Sequence, residues 1–121
     1  RALGGRPDGV PGGTGAGAGR PLRAAEVTSL PELIDQPPAS EMRALYPAAA
    51  RRDGIEADVK LRILVSARGQ VVRVRLLQPA GKGFDAVARQ LVEKFRFRPG
   101  QRDGRAVAVW IPWTYKFRLD G

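Results

Sequence analysis

The sequence predicts an α+β domain: a three-stranded antiparallel sheet backed by two helices, behind a flexible glycine-rich N-terminal tether. Three observations predict it. Two runs of alternating apolar and polar residues, at 58–65 and 72–76, flank the short turn Ser66-Ala67-Arg68-Gly69-Gln70, which is the pattern of a hairpin. A single apolar stripe at helical spacing follows at 84–95. A third alternating run fills 106–119. The chain has 121 residues, 43% of them apolar, which suits one domain and a modest core.

Taken in order, residues 1–20 hold 8 of the 15 glycines and little that can pack. The run Gly12-Gly13-Thr14-Gly15-Ala16-Gly17-Ala18-Gly19 has the composition of a flexible linker. It lacks the Lys-Ser or Lys-Thr of a phosphate loop. Residues 1–23 are therefore expected to be disordered linker. Residues 24–39 read as an extended arm, with Val27, Leu30, Leu33 and Ile34 able to dock it on a neighbour, because Pro31, Pro37 and Pro38 forbid a long helix. The folded domain is expected at 40–121. A turn or short helix at 40–46 precedes Pro47, which suits the first position of a second short helix reaching Arg52. Asp53-Gly54 stops it.

In the first strand Val59, Leu61, Ile63 and Val65 share one face. In the second, Val72, Val74 and Leu76 are expected inward and Arg73 and Arg75 outward. The helix at 84–95 aligns Phe84, Val87, Ala88, Leu91, Val92 and Phe95, with Asp85 in its first turn or at its cap. The extended Arg96-Phe97-Arg98-Pro99 and a turn at Gln101-Arg102-Asp103-Gly104 lead to the last strand. There Val107, Val109, Ile111, Trp113, Tyr115, Phe117 and Leu119 share one face; Ala108, Trp110, Pro112, Thr114, Lys116 and Arg118 share the other. Proline cannot donate to a ladder, so this strand is expected at a sheet edge with Pro112 facing outward.

Net charge is +9, and cysteine and histidine are absent. Cys–His and Ser–His catalysis, Cys or His zinc sites and disulfides are thereby excluded. Residues 1–39 carry four basic and four acidic side chains, so the whole excess belongs to 40–121. Glu56 and Asp58 could form a carboxylate pair, or a solvated strand edge paired with Lys60 or Arg62. No nucleophile, base and oxyanion donor come together, so no catalytic, cofactor or metal residue is assigned. Arg96 and Arg98 around Phe97, and Arg73 with Arg75, raise nucleic-acid binding as a rival reading, but no stacking motif accompanies them. Trp113 falls in the apolar register. Trp110 falls in the other and reads as a partner contact or as a side chain covered by the arm. A long edge strand offers unpaired N–H and C=O groups on which an extended peptide can add itself. No run reaches the ~20 apolar residues that span a bilayer and no signal-peptide pattern follows Arg1, so any membrane anchor is expected upstream.

Several pieces, in this order, resemble the periplasmic C-terminal domain of the TonB family: Leu45-Tyr46-Pro47-Ala48-Ala49-Ala50-Arg51-Arg52, Gly54-Ile55-Glu56-Ala57, Arg68-Gly69-Gln70-Val71, Gly83-Phe84-Asp85-Ala86-Val87-Ala88, Phe95-Arg96-Phe97-Arg98-Pro99-Gly100 and Asp103-Gly104-Arg105-Ala106-Val107. The match spans 42–119. Phe95 stands where the family usually has Trp, and Ala57 where it often has Gly. The resemblance implies a non-enzymatic, cofactor-free periplasmic domain of an inner-membrane-anchored protein. Its last strand would bind a short segment of an outer-membrane transporter, the TonB box, by strand addition. An inner-membrane motor, acting through upstream regions and driven by the proton gradient, would pull on it. Carried over, residues 107–117 are the box-binding edge and the segment at Tyr46-Pro47 meets the plug region. Position and register add Arg43 and Trp110. The partner-binding set is then Arg43, Tyr46, Pro47, Ala108, Trp110, Pro112, Thr114 and Lys116, with no nucleic-acid partner and weak homodimerisation through the same edge as a further possibility. The same domain type occurs in gliding-motility and secretion machines, which is the alternative reading.

Overall fold

The computed structural model describes residues 20–119. The glycine-rich run expected to be linker lies outside the described residues. In chain order the elements are β1 (Leu22–Arg23), a 3-10 turn (Ala24–Glu26), β2 (Glu32–Asp35), α1 (Ala39–Ala44), α2 (Ala48–Arg52), β3 (Ala57–Val65), β4 (Val71–Gln78), α3 (Phe84–Val92), β5 (Arg96–Arg98), β6 (Gly100–Arg102), β7 (Arg105–Val107) and β8 (Val109–Phe117). The architecture is α+β.

The main sheet has the order β1-β8-β3-β4. Its three long strands are antiparallel neighbours, with β3 central because it is apolar on every inward position. Two differences from the sequence expectation concern number. A fourth, two-residue strand, β1, pairs parallel with β8, and two small ladders, β2 with β5 and β6 with β7, lie beside the sheet. Among the described residues, the short helices expected on either side of Tyr46-Pro47 form as α1 and α2, so that with α3 there are three α-helices where the fold-class expectation counted two.

Alternation and helical periodicity meet in one core. Val59, Leu61, Ile63 and Val65 of β3, Phe84, Ala88, Leu91 and Val92 of α3, and Val109, Ile111, Tyr115 and Phe117 of β8 are all buried there. Each large side chain so placed contributes about 1.5–3 kcal/mol. Asp85 holds the entry to α3 by accepting from the amides of Ala80 (2.8 Å) and Gly81 (3.1 Å). The helix ends at Val92, short of the expected 95. Lys94 and Phe95 donate to Leu91 and Val92 in a tightened last turn, which frees Arg96 to enter β5 while Phe95 stays in the core. The last strand is likewise interrupted at Ala108, between β7 and β8.

One register expectation is corrected. Val72 points away from the core and is 53% exposed. The ladder pairs Leu64 with Arg73 and Val65 with Val71, which leaves Val72 as the extra residue of a β-bulge. Val71 takes its inward place beside Val74, and Leu76 faces inward only at the margin. A second irregularity falls at Leu77. The hairpin loop is closed by Ser66, whose Oγ accepts from the amides of Arg68 and Gln70, both at 3.2 Å. Gly69 has φ +80°, and a Cβ there would lie 1.9 Å from the Phe97 carbonyl oxygen, so only glycine lets the hairpin dock on β5.

Candidate functional site

The sheet has two lateral edges, and they differ. The β4 edge carries the bulges at Val72 and Leu77, and bulges twist an edge away from further pairing. The β8 edge pairs with β3 without a break from Val109 to Phe117. Regular alternation along β8 then fixes which groups face outward. The Leu22 amide donates to the Ala108 carbonyl at 2.9 Å, so Ala108 faces the edge. Every second residue after it does the same: Trp110, Pro112, Thr114 and Lys116.

The sequence expected this edge to be open from 107 to 117. It is shorter. β1 sits on its first part, with Leu22 paired to Val109 and Arg23 to Trp110, and Leu22 is buried there. The outward groups at Ala108 and Trp110 are therefore already engaged. Beyond them lie the carbonyls of Pro112, Thr114 and Lys116 and the amides of Thr114 and Lys116. Pro112, paired with Arg62 across the sheet, turns its donor-less nitrogen to the edge, where the ladder to β3 loses nothing. The open stretch, 112–117, is about 20 Å long at ~3.4 Å per residue.

The arm holds β1 in place. Arg20 donates to both carboxylate oxygens of Glu26, at 3.2 and 3.0 Å, and the Arg23 amide donates to Glu26 at 2.8 Å. These bonds, the Arg20 pair foremost, hold the Glu26 carboxyl down at about 2. Further along, the Thr28 and Ser29 amides donate to the Gln101 carbonyl, Glu32 pairs with Arg98, and Leu33 packs on the core.

Trp110, Pro112, Thr114 and Lys116 project from the sheet face opposite the core. Trp110 is half-buried, with the Arg75 guanidinium 5.4 Å from its ring centre. Arg43 is exposed on α1. Pro47 is half-buried at the entry to α2. The Tyr46 ring is buried, packed edge-on against Phe84 and Phe117 with centroids 5.6 and 5.7 Å apart. Its hydroxyl donates to the Ile55 carbonyl, and burial raises its pKa. Tyr46 thus anchors the α1–α2 corner to the Phe117 end of the open edge, bringing Tyr46-Pro47 and the edge together.

Other candidates are spoken for. Asp58 pairs with Arg118 at 2.8 Å, and Glu56 accepts from the Leu119 amide at 2.9 Å. Both carboxylates fasten the C-terminal end of β8, and the partner is Arg118 rather than the expected Lys60 or Arg62. Phe97, flanked by Arg96 and Arg98, is buried against Phe95 and Trp113 and presents no ring for a base to stack on. What sequence reasoning missed was β1. Only the isolated Leu22 hinted at it, and two residues carry no periodicity.

The comparisons with known proteins agree with this geometry. The family model described as Gram-negative bacterial TonB protein C-terminal matches residues 42–119. Protein TonB of Vibrio cholerae serotype O1 is 32% identical over 106 residues, covering 84% of this chain and 43% of that protein. Protein TonB of Pseudomonas aeruginosa is 27% identical over 112 residues, covering 92% of this chain and 31% of that protein. The chain thus spans less than half the length of these relatives. The solution NMR structure of the Pseudomonas aeruginosa TonB C-terminal domain superposes with a TM-score of 0.57 at 25% identity, covering 75% of this chain and 88% of that one. On the matched model, the relatives and the shared architecture, the chain belongs to the TonB C-terminal domain family.

Proposed function

We propose that this domain binds an extended segment of an outer-membrane protein by strand addition at 112–117 of β8. It then passes to that segment a pull generated by an inner-membrane motor. The domain works in the periplasm as the end of an energy transducer, not as an enzyme. The observation that carries the reading is the row of outward groups on β8: carbonyls of Pro112, Thr114 and Lys116, amides of Thr114 and Lys116, beside an opposite edge blunted by two bulges. An added strand would satisfy these groups with main-chain bonds, which are sequence-tolerant, and side-chain contacts would select the partner. Strand addition also suits force. A load spread over several ladder bonds, next to a strand paired to β3 along its whole length, is resisted cooperatively.

The test is Thr114→Pro. The Thr114 amide faces the edge, as the Pro112 nitrogen does, so proline there removes an outward donor while the β3 ladder stays intact. Binding of a candidate box peptide, followed by amide chemical shifts, is expected to fall at least tenfold, about the worth of one lost bond plus a clash. The melting temperature should change little. Shifts confined to α3, or equal binding by wild type and Thr114→Pro, overturn the proposal.

A further inference from the structure

The outer face of the sheet, opposite the core, has a composition that strand addition leaves unexplained. The register places Lys60 and Arg62 of β3, Arg73 and Arg75 of β4 and Lys116 of β8 on this one face. None of the five forms an ion pair with a carboxylate among the described residues. The acidic side chain in the same register, Asp58, lies opposite Lys116 in the β3–β8 ladder, but its ion pair is with Arg118. Arg62 and Arg75 stand directly opposite each other across the β3–β4 ladder. Like charges so placed repel, and here no intervening carboxylate relieves them. An unneutralised cluster on three adjacent strands spans roughly 10 Å across, at ~4.8 Å per strand.

Large apolar side chains border the cluster. Val72 is 53% and Leu77 56% exposed, on the same strand as Arg73 and Arg75. Trp110 belongs to the face as well. Cations mixed with exposed apolar groups and an indole, on one sheet face, match an interface of phosphate headgroups above acyl chains. A nucleic acid is a poorer match, because Trp110 is the aromatic ring on this face and Arg75 already covers it. An acidic polypeptide would gain from the charge but would leave Val72 and Leu77 in water.

We propose that the outer sheet face, through Lys60, Arg62, Arg73, Arg75 and Lys116, docks the domain onto a membrane surface bearing anionic phospholipid headgroups. Docking this way turns the helices away from the lipid and lays the sheet parallel to the bilayer. The open edge of β8 then points along the membrane surface, toward a segment emerging from a protein embedded in it.

The experiment is co-sedimentation of the 121-residue chain with vesicles of phosphatidylcholine alone or with about 30% phosphatidylglycerol. Binding is expected only to the anionic vesicles and should fall steeply with salt. Each basic residue near such a surface changes partitioning about fivefold, so the Arg73→Gln/Arg75→Gln double variant should lose about 25-fold. Arg52→Gln/Arg102→Gln removes the same charge from exposed sites on α2 and β6 and should stay within about twofold. Melting curves establish that both variants fold. Equal losses in the two variants would reduce the effect to net charge and overturn the proposal. So would no vesicle binding, or tighter retention by single-stranded DNA or polyglutamate than by the anionic vesicles.

Discussion

Tyr46 shows how one buried side chain can hold a corner of the fold beside the open edge. Its ring closes an aromatic group with Phe84 and Phe117, and its hydroxyl satisfies the Ile55 carbonyl at the entry to β3. Tyr46→Phe keeps the ring and removes the donor, leaving a carbonyl short of its bond. The expected cost is about 1–2 kcal/mol in denaturant unfolding, with box-peptide affinity unchanged at temperatures where the variant is folded. A direct partner contact through the hydroxyl would reverse that pattern. Trp110 and Trp113 show the complementary lesson. Alternation alone puts them on opposite faces, and they are on opposite faces: Trp113 edge-on to Phe95 and Phe97, Trp110 beneath Arg75. What alternation could not supply is Tyr46's burial, since a Tyr-Pro step between two short helices has no period to read.

At the scale of elements, β1 and the arm behind it are fastened by short, separate contacts, among them the Thr28 and Ser29 bonds to Gln101 and the packing of Val27 and Leu33. Two ladder positions on β8, a short ladder on β5 and the Glu26 cluster hold them. The Glu26 carboxyl titrates at about 2 in the folded chain against an ordinary 4.5. A depressed carboxylate pKa contributes stability above the unfolded value and loses it as pH falls through the folded one. The arm is therefore expected to loosen between about pH 4.5 and pH 2, ahead of the core. Hydrogen exchange at the Leu22, Thr28 and Ser29 amides reads this directly. Their protection should drop across that window while the β3 amides stay protected. Glu26→Gln should show the weaker protection already at neutral pH. The β3–β4 hairpin was legible because its period of two and its Ser-Ala-Arg-Gly-Gln turn agree. The bulge at Val72 was not, because it is decided by Val71 filling the inward place next to Val65.

For the whole molecule, the buried core of β3, β8, α2 and α3 contains, among the described residues, none from before 39, and Val27 and Leu33 pack against it from outside. Residues 39–119 should accordingly fold without the arm. Deleting 1–38 loses the burial of Leu22 and the packing of Val27 and Leu33, at least about 2 kcal/mol. That corresponds to a drop of roughly 10 °C in melting temperature for a domain of this size. The same deletion uncovers the outward groups at Ala108 and Trp110, so box-peptide binding should be kept or strengthened. A loss of cooperative melting would show that the arm is part of the core. The +9 charge is also a whole-molecule property. That Lys60, Arg62, Arg73, Arg75 and Lys116 gather on one sheet face appears only once β3, β4 and β8 are laid side by side.

The sequence by itself determined the α+β class, the three long antiparallel strands, the apolar face of α3 and the outward-facing Pro112. Those follow from local periodicity and from proline's missing donor, which need no knowledge of neighbours. Tertiary structure decided how much of the β8 edge is open, which strand carries bulges and where the unpaired cations gather. Each of these depends on which segments, distant in sequence, come to lie side by side, as the two-residue pairing of Leu22–Arg23 with Val109 and Trp110 does.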